Sequence, residues 1–164
     1  MKRAIVIGCP GSGKSTFARA LAERTGLPLF HLDNIYWNAD RTHVDREVFL
    51  ERLDTVMSGD AWIIDGNYKS TMALRIKAAD TVFFLDYPVE VCLSGVEARK
   101  GKERTDIPWV EAKGERDEEF ISFIKAFGEE SRPKIISLLN EYSEKQIYTF
   151  STRNEADDFL SSLS

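Results

Sequence analysis

The sequence has few residues suited to cross-linking or metal binding, and nothing suited to spanning a membrane. Of its 164 residues, two are cysteines, Cys9 and Cys92, and two are histidines. The cysteines have no metal-ligand spacing and form no disulfide framework, so a reduced cytosol is the expected compartment. No apolar run approaches the roughly 20 residues of a membrane span. The opening "MKRAIVIGCPGSGKS" superficially looks like a secretion signal. Its apolar part is only a strand long and a glycine-rich loop follows at once, so secretion is not expected. Basic residues are not in excess: 22 Lys and Arg against 27 Asp and Glu leave a net charge of −5. That balance counts against a general nucleic-acid coat. One dense basic cluster remains, "RKGKER", Arg99 to Arg104. Repeats, low-complexity tracts and linker-like composition shifts are also missing, and the length suits one domain.

Short apolar runs alternate with helical patterns. "AIVIG", "LPLFHL", "AWIIDG", "TVFFLD" and "QIYTFS" read as five strands. "KSTFARALAERTG" reads as a helix ended by Gly26, and "DREVFLERLDTVMSG" as one with Asp45 as N-cap and Gly59 at its end. "VEVCLSGVEARKG" and "NEADDFLSSL" are further helices. "RDEEFISFIKAFGEESRPKIISLLNEYSEK" is one long helix or two, with Pro133 starting a new turn or kinking it. This alternation predicts an α/β fold with a parallel sheet covered on both faces. The interval from Gly101 to Gly114, with Pro108 and Trp109, fits neither period. A loop of that length in a compact domain is either functional or disordered.

The sharpest motif is "GCPGSGKS", Gly8 to Ser15, a full G-x-x-x-x-G-K-[ST] match between a strand and a helix. The glycines let backbone N–H groups turn towards phosphate oxygens, and the helix adds its positive end. Lys14 is expected to reach the β- and γ-phosphates and Ser15 to offer its hydroxyl to Mg²⁺. The third strand ends in "IIDG", so Asp65 is the expected holder of a Mg²⁺-bound water. Asp86 ends the fourth strand in a similar way. Asp65 is preferred because "DGNY" follows: Gly66 allows close approach, and Asn67 and Tyr68 supply polar and stacking contacts.

Together the P-loop, "HLDNIYW", "WIIDGNY", Arg75, "FFLDYP" and "SRPKI" resemble the bacterial FlaR-like topology-modulation proteins, a branch of the adenylate-kinase-like P-loop kinases. The resemblance covers nearly the whole chain. It implies a three-layer, nucleoside-monophosphate-kinase-like core with a five-stranded parallel sheet. It implies ATP–Mg²⁺ at Gly8, Pro10, Gly11, Ser12, Gly13, Lys14, Ser15 and Thr16. It also implies an acceptor site around Asp33, Tyr36, Asp65, Asn67, Tyr68 and Arg75, and a lid near residues 99–116. Such kinases usually carry an arginine early in the lid-leading helix, packed on adenine. This chain has Ser94 and Gly95 there, with Arg99 a turn later.

Phosphoryl transfer needs positioning and positive charge more than covalent chemistry. Arg99 and Arg104 in the lid, and Arg132 on the returning helix, are the candidates to supply that charge. The alternative for the lid is a solvated charged loop. Arg75 is either an anion contact or a surface arginine. His31 and His43 are expected to be structural or exposed. Two acceptors compete. A nucleoside monophosphate needs arginines but no general base. A hydroxyl on a small metabolite needs a carboxylate to take its proton, as in shikimate-type kinases, and Asp33 would be that base. The nucleotide is the leading expectation. A third reading, a nucleotide-dependent regulator of DNA topology with little turnover, has the acidic balance against it.

Overall fold

The apolar runs form five parallel strands in the computed structural model, which describes residues 1–99 and 118–163. In chain order the elements are β1 (Arg3–Gly8), α1 (Lys14–Thr25), β2 (Leu29–His31), α2 (Leu32–Tyr36), α3 (Arg46–Met57), β3 (Trp62–Asp65), α4 (Lys69–Ala78) and β4 (Thr81–Leu85). Then follow α5 (Val89–Arg99), α6 (Glu118–Ala126), a π-helical turn (Phe127–Ser131), α7 (Arg132–Glu141), β5 (Gln146–Phe150) and α8 (Arg153–Ser162).

The strand order is β2-β3-β1-β4-β5, and every pairing is parallel. Every residue of β3 and β4 is buried. Successive strand side chains point to opposite faces, so the sheet is covered on both, as predicted. Helix α1 packs on β1, β2 and β3 and also touches α8. The core runs through Phe17, Leu21, Leu53, Trp62, Ile64, Phe83 and Phe84. The order places β1 between β3, which leads outward to β2, and β4, which leads outward to β5. Ligands of open α/β sheets bind at such a switch point, at the carboxyl ends of the strands.

Two segments differ from expectation. Only Leu29–His31 of "LPLFHL" is strand. Its partner β3 ends at Asp65, the residue opposite His31, so β2 has nothing further to pair with and the chain turns into α2. Asp33 and Tyr36 therefore sit on a short helix, three residues apart and on one side. The long C-terminal helical pattern is split by the π-helical turn, and Pro133 falls in the first turn of α7. Among the described residues no helix is long and apolar enough to cross a membrane. The lid interval, with Arg104 and Trp109, lies outside the described residues, as does the side chain of Arg99.

Candidate active site

The loop between β1 and α1 is shaped by backbone dihedrals. Gly11 and Gly13 take positive φ, 87° and 92°, and Ser12 N–H closes a turn on the Cys9 carbonyl at 3.0 Å. Gly13 caps α1 without a side-chain hydrogen bond, and the first turn holds no acidic residue. The positive end of α1 is thus left for an anion. The Ser12 hydroxyl is buried without a hydrogen-bond partner. An orphaned buried donor in a loop of this shape fits a bound phosphate oxygen.

The segment after β3 clamps this loop. Asn67 Nδ2 donates to the Gly8 carbonyl at 2.6 Å, and Asn67 Oδ1 accepts from Gly8 N–H at 3.0 Å. Both ends of the Asn67 amide are thus paired with the P-loop backbone, a contact the sequence did not announce. Gly66 donates to the Val6 carbonyl at 3.1 Å. It sits at φ 131°, with Leu32 so close that a Cβ would lie 2.8 Å from it. Only glycine fits that crossing.

Asp65 is buried at the end of β3. Its Oδ2 lies 2.7 Å from His31 Nδ1. His31 is therefore buried and paired, across adjacent strands, with the proposed metal carboxylate. Among the described residues no cluster of three or more His, Cys, Asp or Glu side chains could hold a metal by itself. Mg²⁺ takes few protein ligands and completes its shell with waters and substrate phosphates. The Ser15 hydroxyl and Asp65 carboxylate are hard oxygen donors of the kind it accepts.

Asp33, on α2, meets Tyr68 in the turn after β3. The Tyr68 hydroxyl donates to Asp33 Oδ1 at 2.6 Å. Burial, the Asp33 charge and this hydrogen bond push the phenol well above its ordinary range. Tyr68 has the strained φ of 22° at the entry to α4. Around it, Tyr36 makes edge contacts with Tyr68, Phe49 and Trp37 and stacks on His43 at 4.9 Å and 7°. Trp37 and Tyr36 thus belong to one aromatic group beside Asp33.

Arg75 is the clearest correction. It is fully buried, and its guanidinium donates to the carbonyls of Gly66 (3.0 Å), Asn67 and Tyr68 (3.0 Å) and to Thr71 Oγ1 (3.2 Å). Burial lowers its proton affinity from the ordinary guanidinium value, and Asp65 and Tyr68 oppose that shift. The side chain holds the "DGNY" turn together from inside. Arg132, expected near the phosphates, forks onto Asp86 at the end of β4 at 2.7 and 2.8 Å.

Two residues escaped the sequence reading. Arg153, in the first turn of α8, donates to the Gly11 carbonyl at 3.2 Å and lies over the Tyr87 ring at 5.7 Å. A cation at a helix N-terminus is unfavourable, which was the available signal that a contact holds it there. Gly95 faces the same spot: a Cβ there would overlap the Gly11 carbonyl and approach Arg153. The missing arginine of the lid-leading helix thus has a physical reason, since the backbones of α5 and the P-loop touch. The second residue is Lys69, a cation lining a cavity of about 300 Å³ with Asn67, Tyr68, Met72, Phe127, Ser131 and Ile135 among the described residues. Its signal was its position directly after "DGNY".

Fold and loop together define an α/β domain with a P-loop. No protein-family model matches the sequence, and a search of curated proteins finds no match. Among solved structures, the chain is similar to a shikimate kinase from Acinetobacter baumannii in complex with shikimate, at 20% identity and TM-score 0.61, over 98% of this chain and 91% of that one. It is also similar to a shikimate kinase from Bacteroides thetaiotaomicron, at 20% identity and TM-score 0.54, over 98% and 94%. The likeness shows the fold: a five-stranded parallel α/β sheet with a P-loop. It does not reach the topology-modulation branch of the resemblance.

Proposed function

We propose that the protein is an ATP-dependent phosphotransferase that phosphorylates a hydroxyl group on a small metabolite. The carrying observation is the commitment of Arg75 to three backbone carbonyls. A phosphate acceptor needs cations, and the arginine expected to meet it is buried in the scaffold. The Tyr68 hydroxyl donates to Asp33 Oδ1 and orients that carboxylate.

In this reading Lys14 and the P-loop N–H groups hold the β- and γ-phosphates. Asp33 accepts the acceptor's hydroxyl proton as the new O–P bond forms and the bond to the β–γ bridging oxygen breaks. Mg²⁺, held through Ser15 and Asp65, would offset negative charge on the phosphates. The cavity beside Tyr68 has mostly apolar walls, with Lys69 as its cation. A compact acceptor with an apolar face and an anionic group fits that lining. The fold likeness to shikimate kinases supports the same direction.

A nucleoside monophosphate is the second reading, favoured by the aromatic group around Tyr36, which suits a flat base. An acceptor screen with ATP–Mg²⁺ separates the two. The expected result is turnover with hydroxylated organic acids or cyclic alcohols and none with the nucleotides. Turnover confined to nucleoside monophosphates would reverse the assignment. Lys14→Ala is expected to remove turnover with every acceptor.

A further inference from the structure

We propose that His31 is a positioning residue for the divalent cation at the phosphate site, acting through Asp65. The inference rests on the phosphotransfer reading above and adds to it a residue that the sequence motifs left without a role. His31 and Asp65 are direct partners on the last rung of the β2–β3 ladder, and Asp65 is in turn the partner of Val6 on β1, two residues before Gly8 of the P-loop. The rung therefore runs from the edge of the sheet to the root of the phosphate loop.

His31 Nδ1 lies 2.7 Å from Asp65 Oδ2, with the two residues 8% and 4% exposed. The other rungs of this ladder are Leu29 with Ile63 and Phe30 with Ile64. An apolar pair would join the strands at the last rung as well, without the cost of burying a carboxylate. What histidine adds is direction. An imidazole donating from Nδ1 fixes the carboxylate rotamer. The contact uses one carboxylate oxygen and leaves the carboxylate its second oxygen. Partners that orient a metal-site ligand in this way typically change metal affinity by about 10–100-fold when removed.

The test compares His31→Asn and His31→Gln by calorimetric titration with the imido analogue of ATP, once with Mg²⁺ and once with EDTA, with thermal melting alongside. Asparagine carries its N–H at the position of Nδ1, and glutamine carries it one bond further out. The expected result is that the asparagine variant keeps the gain in affinity that Mg²⁺ gives the wild type. The glutamine variant loses about tenfold of that gain while its EDTA affinity holds. Equal Mg²⁺ gains in all three proteins would overturn the role of His31. So would a loss of the same size in both buffers, which marks a purely structural pin. A wild-type protein that bound the analogue equally with and without Mg²⁺ would overturn it too, with the nucleotide reading intact. Failure of the wild type to bind nucleotide in either buffer would overturn the phosphotransfer reading itself.

Discussion

The Tyr68 hydroxyl donates to Asp33 Oδ1 over 2.6 Å, joining the helix after β2 to the turn after β3. One carboxylate oxygen is thereby fixed in direction. If Asp33 takes a hydroxyl proton, Asp33→Asn lowers kcat by about 100-fold or more and leaves the acceptor KM within a few-fold. Steady-state kinetics on the acceptor found in the screen checks this. A raised KM with unchanged kcat would make Asp33 a binding group only.

Tyr68 also gives the fold a pH dependence. Its folded-state pKa is raised above the ordinary value of 10.0, chiefly by burial and then by Asp33. Above that ordinary value the unfolded chain releases the proton and the folded chain keeps it. Stability is fully present below about pH 10 and falls as pH rises further. Tyr68→Phe is expected to flatten part of this alkaline loss in urea titrations at pH 9 to 11. Tyr87, pushed up to about 12 mainly by burial, acts in the same direction, and Arg75, lowered to about 9 by burial, acts against both.

Arg75 is expected to behave as a scaffold residue. Its replacement by methionine leaves the carbonyls of Gly66, Asn67 and Tyr68 without their buried donor. The expected cost is about 3 kcal/mol or more in chemical denaturation. An Arg75→Met protein of wild-type stability with only a raised acceptor KM would return this residue to the binding site.

Gly95 sets helix propensity against packing. In an exposed helix interior, alanine would gain about 1 kcal/mol over glycine. Here a Cβ overlaps the Gly11 carbonyl of the P-loop. Gly95→Ala is therefore expected to lower stability by about 1–3 kcal/mol and to weaken nucleotide binding. Thermal melting with and without nucleotide reads both effects. A gain in stability would show that α5 gives way at no cost.

Asn67 ties the two loops by a reciprocal pair of bonds to Gly8. Asn67→Ala is expected to raise the nucleotide dissociation constant about tenfold or more, since the loop loses both contacts. The acceptor KM, measured at saturating ATP, should stay near wild type. The opposite pattern would restore Asn67 to the acceptor site.

The local pattern of the chain determined the strands, the P-loop and the position of Asp65. These follow from short-range rules: apolar runs of strand length, glycines where the loop must turn, and a carboxylate where a strand stops. Which partners the polar side chains take was decided only by the tertiary structure. His31 and Asp65 are far apart in sequence and meet because β2 lies beside β3. Arg75 read as an anion contact or a surface arginine, and only the fold sets it against the carbonyls of the turn that leads into α4. Arg153 comes from the last helix and reaches the first loop because β5 closes the far edge of the sheet and α8 returns against α1. Periodicity reports which side of an element faces the core. The hydrogen-bond partner of a buried polar group depends on which other element packs there, and that is a property of the assembled sheet.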